Sequence, residues 1–150
     1  MDLMQICMGF LGSLGFGVLF HLQGKKLVVA ALGGLVSWSV FLALAETIPS
    51  ESTRYFLASA SIAVYAEIFA RVLKTPTTTF LVVSLIPLIP GSALYYTMNY
   101  ALNEQWDRFA NQAFYTVELA VCLAVGIIVV STLARIYTAL RQHLLQKTPV

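Results

Sequence analysis

Pro87, Pro90 and Gly91 interrupt an otherwise apolar run, Ser84-Leu85-Ile86-Pro87-Leu88-Ile89-Pro90-Gly91-Ser92. Each proline removes a backbone donor, and the glycine loosens a helix further. A continuous helix there would be strained, so two half-helices separated by a break are expected. In lipid, free backbone polar groups are tolerated only against protein or a water-filled cavity, and transporters use such breaks to hold substrates and ions. With the second half-helix starting near Pro90, a residue suited to a first helical position, the amides of Gly91 and Ser92 point toward the break. Free N–H groups at a helix start attract anions, which suits a substrate carboxylate. Tyr95, about one turn beyond Gly91, is placed to reach the same ligand. The competing reading is a plain proline kink, with Tyr95, Tyr96 and Tyr100 forming an interfacial belt.

Two carboxylates fall inside apolar segments, Glu67 and Glu118. A charge in the bilayer is costly, so such residues pair or line a pathway. Glu67 precedes Arg71 by four residues, the spacing that brings two side chains together on one helix face. The pair is read either as a coupling group or as an ion pair at the membrane edge. Glu118, roughly 9 Å into its segment at the helical rise, has no obvious partner, which fits either a proton carrier or a group facing the headgroups. His21 and His143 lack ligand-like spacing. Cys7 and Cys122 are read as small apolar packing residues. No metal constellation, nucleophile–base pair or phosphate loop is visible, so neither enzyme activity nor a metal or other cofactor is expected.

Composition says what must position these groups. Hydrophobic residues make up 59% of the chain and charged residues 11%, against about 25% charged in ordinary soluble domains. Mean hydropathy is +0.80. A soluble enzyme, a disordered chain and a nucleic-acid binder are excluded; an all-α integral membrane protein in a lipid bilayer remains. Spans take about 20 residues each. Apolar windows place five, at about 3–20, 27–45, 55–73, 80–102 and 113–136, the fourth being the broken one. Residues 46–54 and 103–111 read as loops and 137–150 as a cytoplasmic tail, in a single membrane domain.

Basic residues accumulate on the cytoplasmic side. With five spans, Lys25, Lys26, Arg71, Lys74, Arg135, Arg141 and Lys147 share one side, and only Arg54 and Arg108 lie on the other. The N-terminus is therefore expected outside and the C-terminus inside. Gly9, Ser13 and Gly17, then Ala30 with Gly34 and Gly33 with Ser37, then Ala58, Ala66 and Ala70, repeat at spacings that let helix backbones approach closely in lipid. They signal a tight bundle or an interface with another chain.

The stretches Gly15-Phe16-Gly17-Val18-Leu19-Phe20, Ala31-Leu32-Gly33-Gly34, Glu67 through Pro76, and Ile86-Pro87-Leu88-Ile89-Pro90-Gly91, followed by Tyr95 and Met98, resemble the small-subunit half of the threonine/serine exporter family. An E-x-x-x-R-x-x-K-x-P stretch shortly before I-P-L-x-P-G is the specific part, and the resemblance covers nearly the whole chain. Phe20-His21-Leu22-Gln23 departs from the F-N-x-P common in the family, and Val83-Ser84-Leu85 from a more Gly- and Pro-rich approach to the break. Both departures bear on substrate choice.

The resemblance implies a bacterial inner-membrane exporter of threonine and serine, with a related pair associated with succinate. In split members a larger partner carries a cytoplasmic soluble domain and five further spans, the two halves forming an inverted repeat. The expectation is thus one subunit of a two-component exporter of small carboxylates working by alternating access. Pro87, Pro90, Gly91, Ser92 and Tyr95 form its substrate site, and Glu67, Arg71 or Glu118 serve in coupling or pairing. The rivals are a non-transporting membrane scaffold and a self-sufficient homo-oligomeric carrier.

Overall fold

A computed structural model of the chain describes residues 2–146, with side chains from 3 to 140. The predicted basic side chains Arg141 and Lys147, and those of Asp2 and His143, lie outside the described residues. Six helices follow in order: α1 (Asp2–Leu19), α2 (Lys25–Ala45), α3 (Glu51–Val72), α4 (Thr77–Leu85), α5 (Gly91–Leu102) and α6 (Trp106–Gln146), with a 3-10 turn over Ile86–Leu88 between α4 and α5. Among the described residues there is no strand.

Several helices run past the apolar windows. Residues 51–54, read as loop, are the first turn of α3, capped by the Ser50 hydroxyl accepting from Thr53 N–H at 3.4 Å. Residues 106–111 are likewise helical, and α6 continues through the predicted tail to Gln146. Hydropathy marks what lipid tolerates, whereas a helix ends where its backbone is capped. Three ends are made by His21, Lys74 and Glu104 in the left-handed region, at φ 57, 48 and 55. The following amides reach back five residues, Leu22 to Gly17, Thr75 to Ala70 and Gln105 to Tyr100, at 2.9–3.0 Å. This closes the last carbonyls in a Schellman arrangement usually made with glycine.

Cross-helix contacts fix the direction of each element. Gly9 lies by Trp38 and Gly17 by Leu27, so α1 and α2 are antiparallel. The Tyr65 hydroxyl donates to Val29 O at 2.7 Å, while the Phe41 and Tyr55 rings meet at 4.9 Å, so α2 and α3 are antiparallel as well. Ser52 binds Glu118 at 2.5 Å and Arg71 binds Thr138 at 3.0 Å, which makes α3 and α6 parallel. The chain between them must cross the bundle. Thr77 at the start of α4 meets Glu67 at 3.4 Å, and Thr97 in α5 meets Thr116 at 2.9 Å near the opposite end. The α4–α5 pair is bent by 59°. A bend under 90° keeps both arms advancing the same way.

Alanines, serines and glycines line most helix contacts around a few large buried side chains such as Phe80, Ile62 and Leu88, while many other large residues face out. Ala30, Ala31, Ala58, Ala63 and Ala66 are buried, whereas Leu3, Phe16, Ile68, Met98, Phe114, Ile128 and Leu133 are exposed. That inversion of the soluble pattern suits a lipid surround. Three fully buried serines sit on glycines of a neighbouring helix: Ser13 on Gly34, Ser84 on Gly33 and Ser59 on Gly126. A Cβ on any of these glycines would lie within about 2 Å of the serine oxygen. The small-residue spacings thus serve contacts within this chain. By length and composition α2, α3 and α6 suffice to cross a membrane, the bent α4–α5 pair does so if counted as one span, and α1 is a shorter apolar helix.

Candidate functional site

The break is built by its prolines. Pro87 falls in the 3-10 turn, whose last carbonyl arrangement lets Ile89 N–H donate to Ile86 O at 3.3 Å. Pro90 then takes ψ 62 and becomes the N-cap of α5, so helix begins at Gly91 and not at Pro90. This corrects the expected first helical position by one residue. The Gly91 amide is also not free: it turns back to Ile89 O at 2.6 Å. The next two amides, of Ser92 and Ala93, have no backbone acceptor, and no side chain caps the helix. The free donors of the break are therefore one residue further on than the spacing alone implies. A helix start with unfilled donors favours a negative group.

The predicted substrate residues do not share one cavity. Pro87 and Ile86 close a mostly apolar groove of about 430 Å³ whose other wall is Met4, Met8, Gly9 and Gly12 of α1, with Trp38 and Gln5. The Trp38 indole N–H is buried without an acceptor. Pro90, Gly91, Ser92 and Tyr95 lie outside that groove, on the open side of α5. A Cβ at Gly91 would meet nothing within 4 Å, and Tyr95 is 64% exposed. Tyr95 packs edge-on against Tyr96, its ring centroid 5.5 Å away.

At the end of the bundle carrying Lys25, Lys26 and Lys74, Arg71 lies 3.5 Å from Glu67 within α3. Each also reaches a neighbouring helix: Glu67 accepts from Thr77 of α4, and Arg71 donates to Thr138 of α6 at 3.0 Å. Three helices are therefore tied through this pair. Thr77 and Thr138 were not singled out by the sequence, because an isolated threonine carries no spacing signal.

Glu118 does have a partner, contrary to the sequence expectation: Ser52 in the first turn of α3 donates to it at 2.5 Å. One turn earlier on α6, the Tyr115 hydroxyl donates to Glu51. Arg54 lies over the Phe41 ring, 5.0 Å from its centroid. Glu118 is exposed and, among the described residues, has no cationic partner. Among the described residues no group of His, Cys, Asp and Glu side chains is arranged to hold a metal.

The chain thus combines a broken helix pair, a Glu67–Arg71 ion pair and an apolar exterior. A model of the family described as Threonine/Serine exporter, ThrE, matches residues 5–133. No curated protein and no solved structure matches the chain. That match spans most of the 150 residues, and the chain belongs to the threonine/serine exporter family of membrane transport proteins.

Proposed function

We propose that the chain is one membrane half of a two-component exporter of small hydrophilic carboxylates, threonine or serine first and succinate-type dicarboxylates second. Five segments cross the bacterial cytoplasmic membrane, N-terminus outside and C-terminus inside, with α1 as the shortest crossing. The observation that carries this reading is the break: the α4–α5 pair runs from one end of the bundle to the other, yet leaves the amides of Ser92 and Ala93 without a backbone acceptor, with Ser92 on an exposed face and Ala93 buried. In lipid, unsatisfied donors of this kind cost several kcal/mol each. The Ser92 donor is satisfied if that face closes against a second, inverted half supplied by a larger partner, with substrate between the halves.

In this arrangement the Ser92 amide meets the substrate carboxylate, and Pro87, Pro90 and Gly91 hold the break open. Tyr95 flanks it. Alternating access moves the two halves about this point. Glu67 is paired with Arg71 at 3.5 Å, whereas Glu118 is hydrogen-bonded only to a neutral hydroxyl and serves as the proton-coupling group.

The test is efflux of threonine, serine and succinate from preloaded cells expressing this chain alone, its large partner alone, or both. Export only with both supports the split exporter and identifies the substrate class. Export by this chain alone makes it a self-sufficient oligomer, and no export with both inserted leaves a scaffold.

A further inference from the structure

A cavity of about 440 Å³ lies between α3, α4 and α6 at the basic end of the bundle, about 15 Å along α4 from Pro87 at the helical rise. Its walls combine one carboxylate, two guanidinium groups and several hydroxyls: Glu67, Arg71, Thr77, Ser131, Arg135 and Thr138. Polar groups of both signs stand here beside Leu81, Ala134 and Ala139, and the ties among Glu67, Arg71, Thr77 and Thr138 leave Arg135 outside the packing of the three helices.

The charges are not balanced inside the cavity. Arg71 is held by Glu67 and Thr138, whereas Arg135 makes no ion pair or side-chain hydrogen bond among the described residues. Thr77 belongs to the first turn of α4, which no side chain caps. Arg135 and the start of α4 offer a place for a carboxylate. Glu67, 19% exposed, offers a place for an ammonium group, and the Ser131, Thr138 and Thr77 hydroxyls suit a short polar side chain. A phosphate or a dicarboxylate would bring a second negative charge against Glu67. We infer that this cavity is a second substrate site, specific for a small zwitterionic α-amino acid, which takes the substrate at the basic end before it reaches the break.

This inference rests on the exporter reading and is tested separately from it. The full chain, with its partner if the two co-purify, is placed in lipid nanodiscs, and binding of radiolabelled L-threonine is measured by equilibrium dialysis. Competition is measured with threoninol, which lacks the carboxylate, N-acetylthreonine, which lacks the ammonium, and succinate. L-Threonine is expected to bind, with the other three competing at least tenfold more weakly. Arg135→Gln should weaken L-threonine at least tenfold and leave threoninol unchanged. Glu67→Gln should weaken L-threonine and narrow its advantage over N-acetylthreonine. Arg135→Lys, which keeps the charge, should recover part of the loss and controls for folding. Threonine efflux that persists while binding ignores Arg135→Gln and Glu67→Gln overturns this site and leaves the exporter standing. A wild-type protein that neither binds nor exports threonine overturns both.

Discussion

Replacing Gly33 by alanine tests how the break is held in place. Gly33 of α2 receives Ser84 of α4, three residues before Pro87. A Cβ there would lie 1.9 Å from Ser84 Oγ, 2.7 Å from Ser84 Cβ and 3.0 Å from Tyr65 Cε1. The hydroxyl can rotate away, giving up its 3.2 Å bond to Ala30 O, at about 0.6 kcal/mol for a hydrogen bond within a membrane bundle. Ser84 Cβ has no such freedom, so α4 must move. Overpacking of this kind costs about 1–3 kcal/mol, and the better helix propensity of alanine returns about 1 kcal/mol. Net destabilisation of about 1–2 kcal/mol is expected, read by denaturant titration in micelles using circular dichroism. Because α4 carries the break, export should fall in parallel. Gly12→Ala is the control: nothing lies within 4 Å of its Cβ position, and its stability should equal or exceed wild type. Adding Ser84→Gly to Gly33→Ala reopens the space and should recover about 1 kcal/mol as a coupling energy. A Gly33→Ala protein as stable as Gly12→Ala, or one that Ser84→Gly does not relieve, refutes the seating of α4 on Gly33.

The same geometry makes further expectations. Pro90→Ala combined with Gly91→Leu restores a continuous helix and should reduce export to background with insertion, read by membrane fractionation, unchanged; normal export would remove the break from the mechanism. Glu118→Gln keeps an oxygen acceptor for Ser52, so it should preserve stability within about 0.5 kcal/mol. It should nevertheless make efflux indifferent to imposed pH gradients, and a wild-type gradient response would acquit Glu118 as the proton carrier. Tyr115→Phe removes the hydroxyl that reaches Glu51 and should cost about 0.5–1.5 kcal/mol; an unchanged denaturation midpoint would refute that tie between α3 and α6. In a background lacking Cys7 and Cys122, Lys25→Cys should react with an impermeant maleimide only from the cytoplasmic side and Asp107→Cys only from outside; reversed labelling would overturn the orientation.

The two arms of the α4–α5 pair are packed differently. α4 is anchored on α2 and α3 through Ser84, Phe80 and Val83, all fully buried or nearly so. α5 leans on α6, to which Thr97 ties it, and shows Leu94, Tyr95 and Met98 to the outside. The 59° bend separates the two arms.

What could be read from the chain alone followed from local chemistry. Low charge and high hydropathy require lipid, whatever the packing. Pro87, Pro90 and Gly91 break a helix through their own backbones, so the break needed no neighbours to be foreseen. Glu67 and Arg71 meet because one helix period joins them. The tertiary structure decided everything that depends on which helix face meets which. Ser84 finds Gly33, Arg71 finds Thr138 and Glu118 finds Ser52 across 51 to 67 residues of chain; a helical period fixes a face but names no partner for it. The helix ends at His21, Lys74 and Glu104 were equally hidden, since the left-handed turn that glycine advertises is here imposed on ordinary residues by the bonds behind them. The placement of the free amides at Ser92 and Ala93 also belonged to the fold, because Gly91 spends its own donor on Ile89 to make the turn.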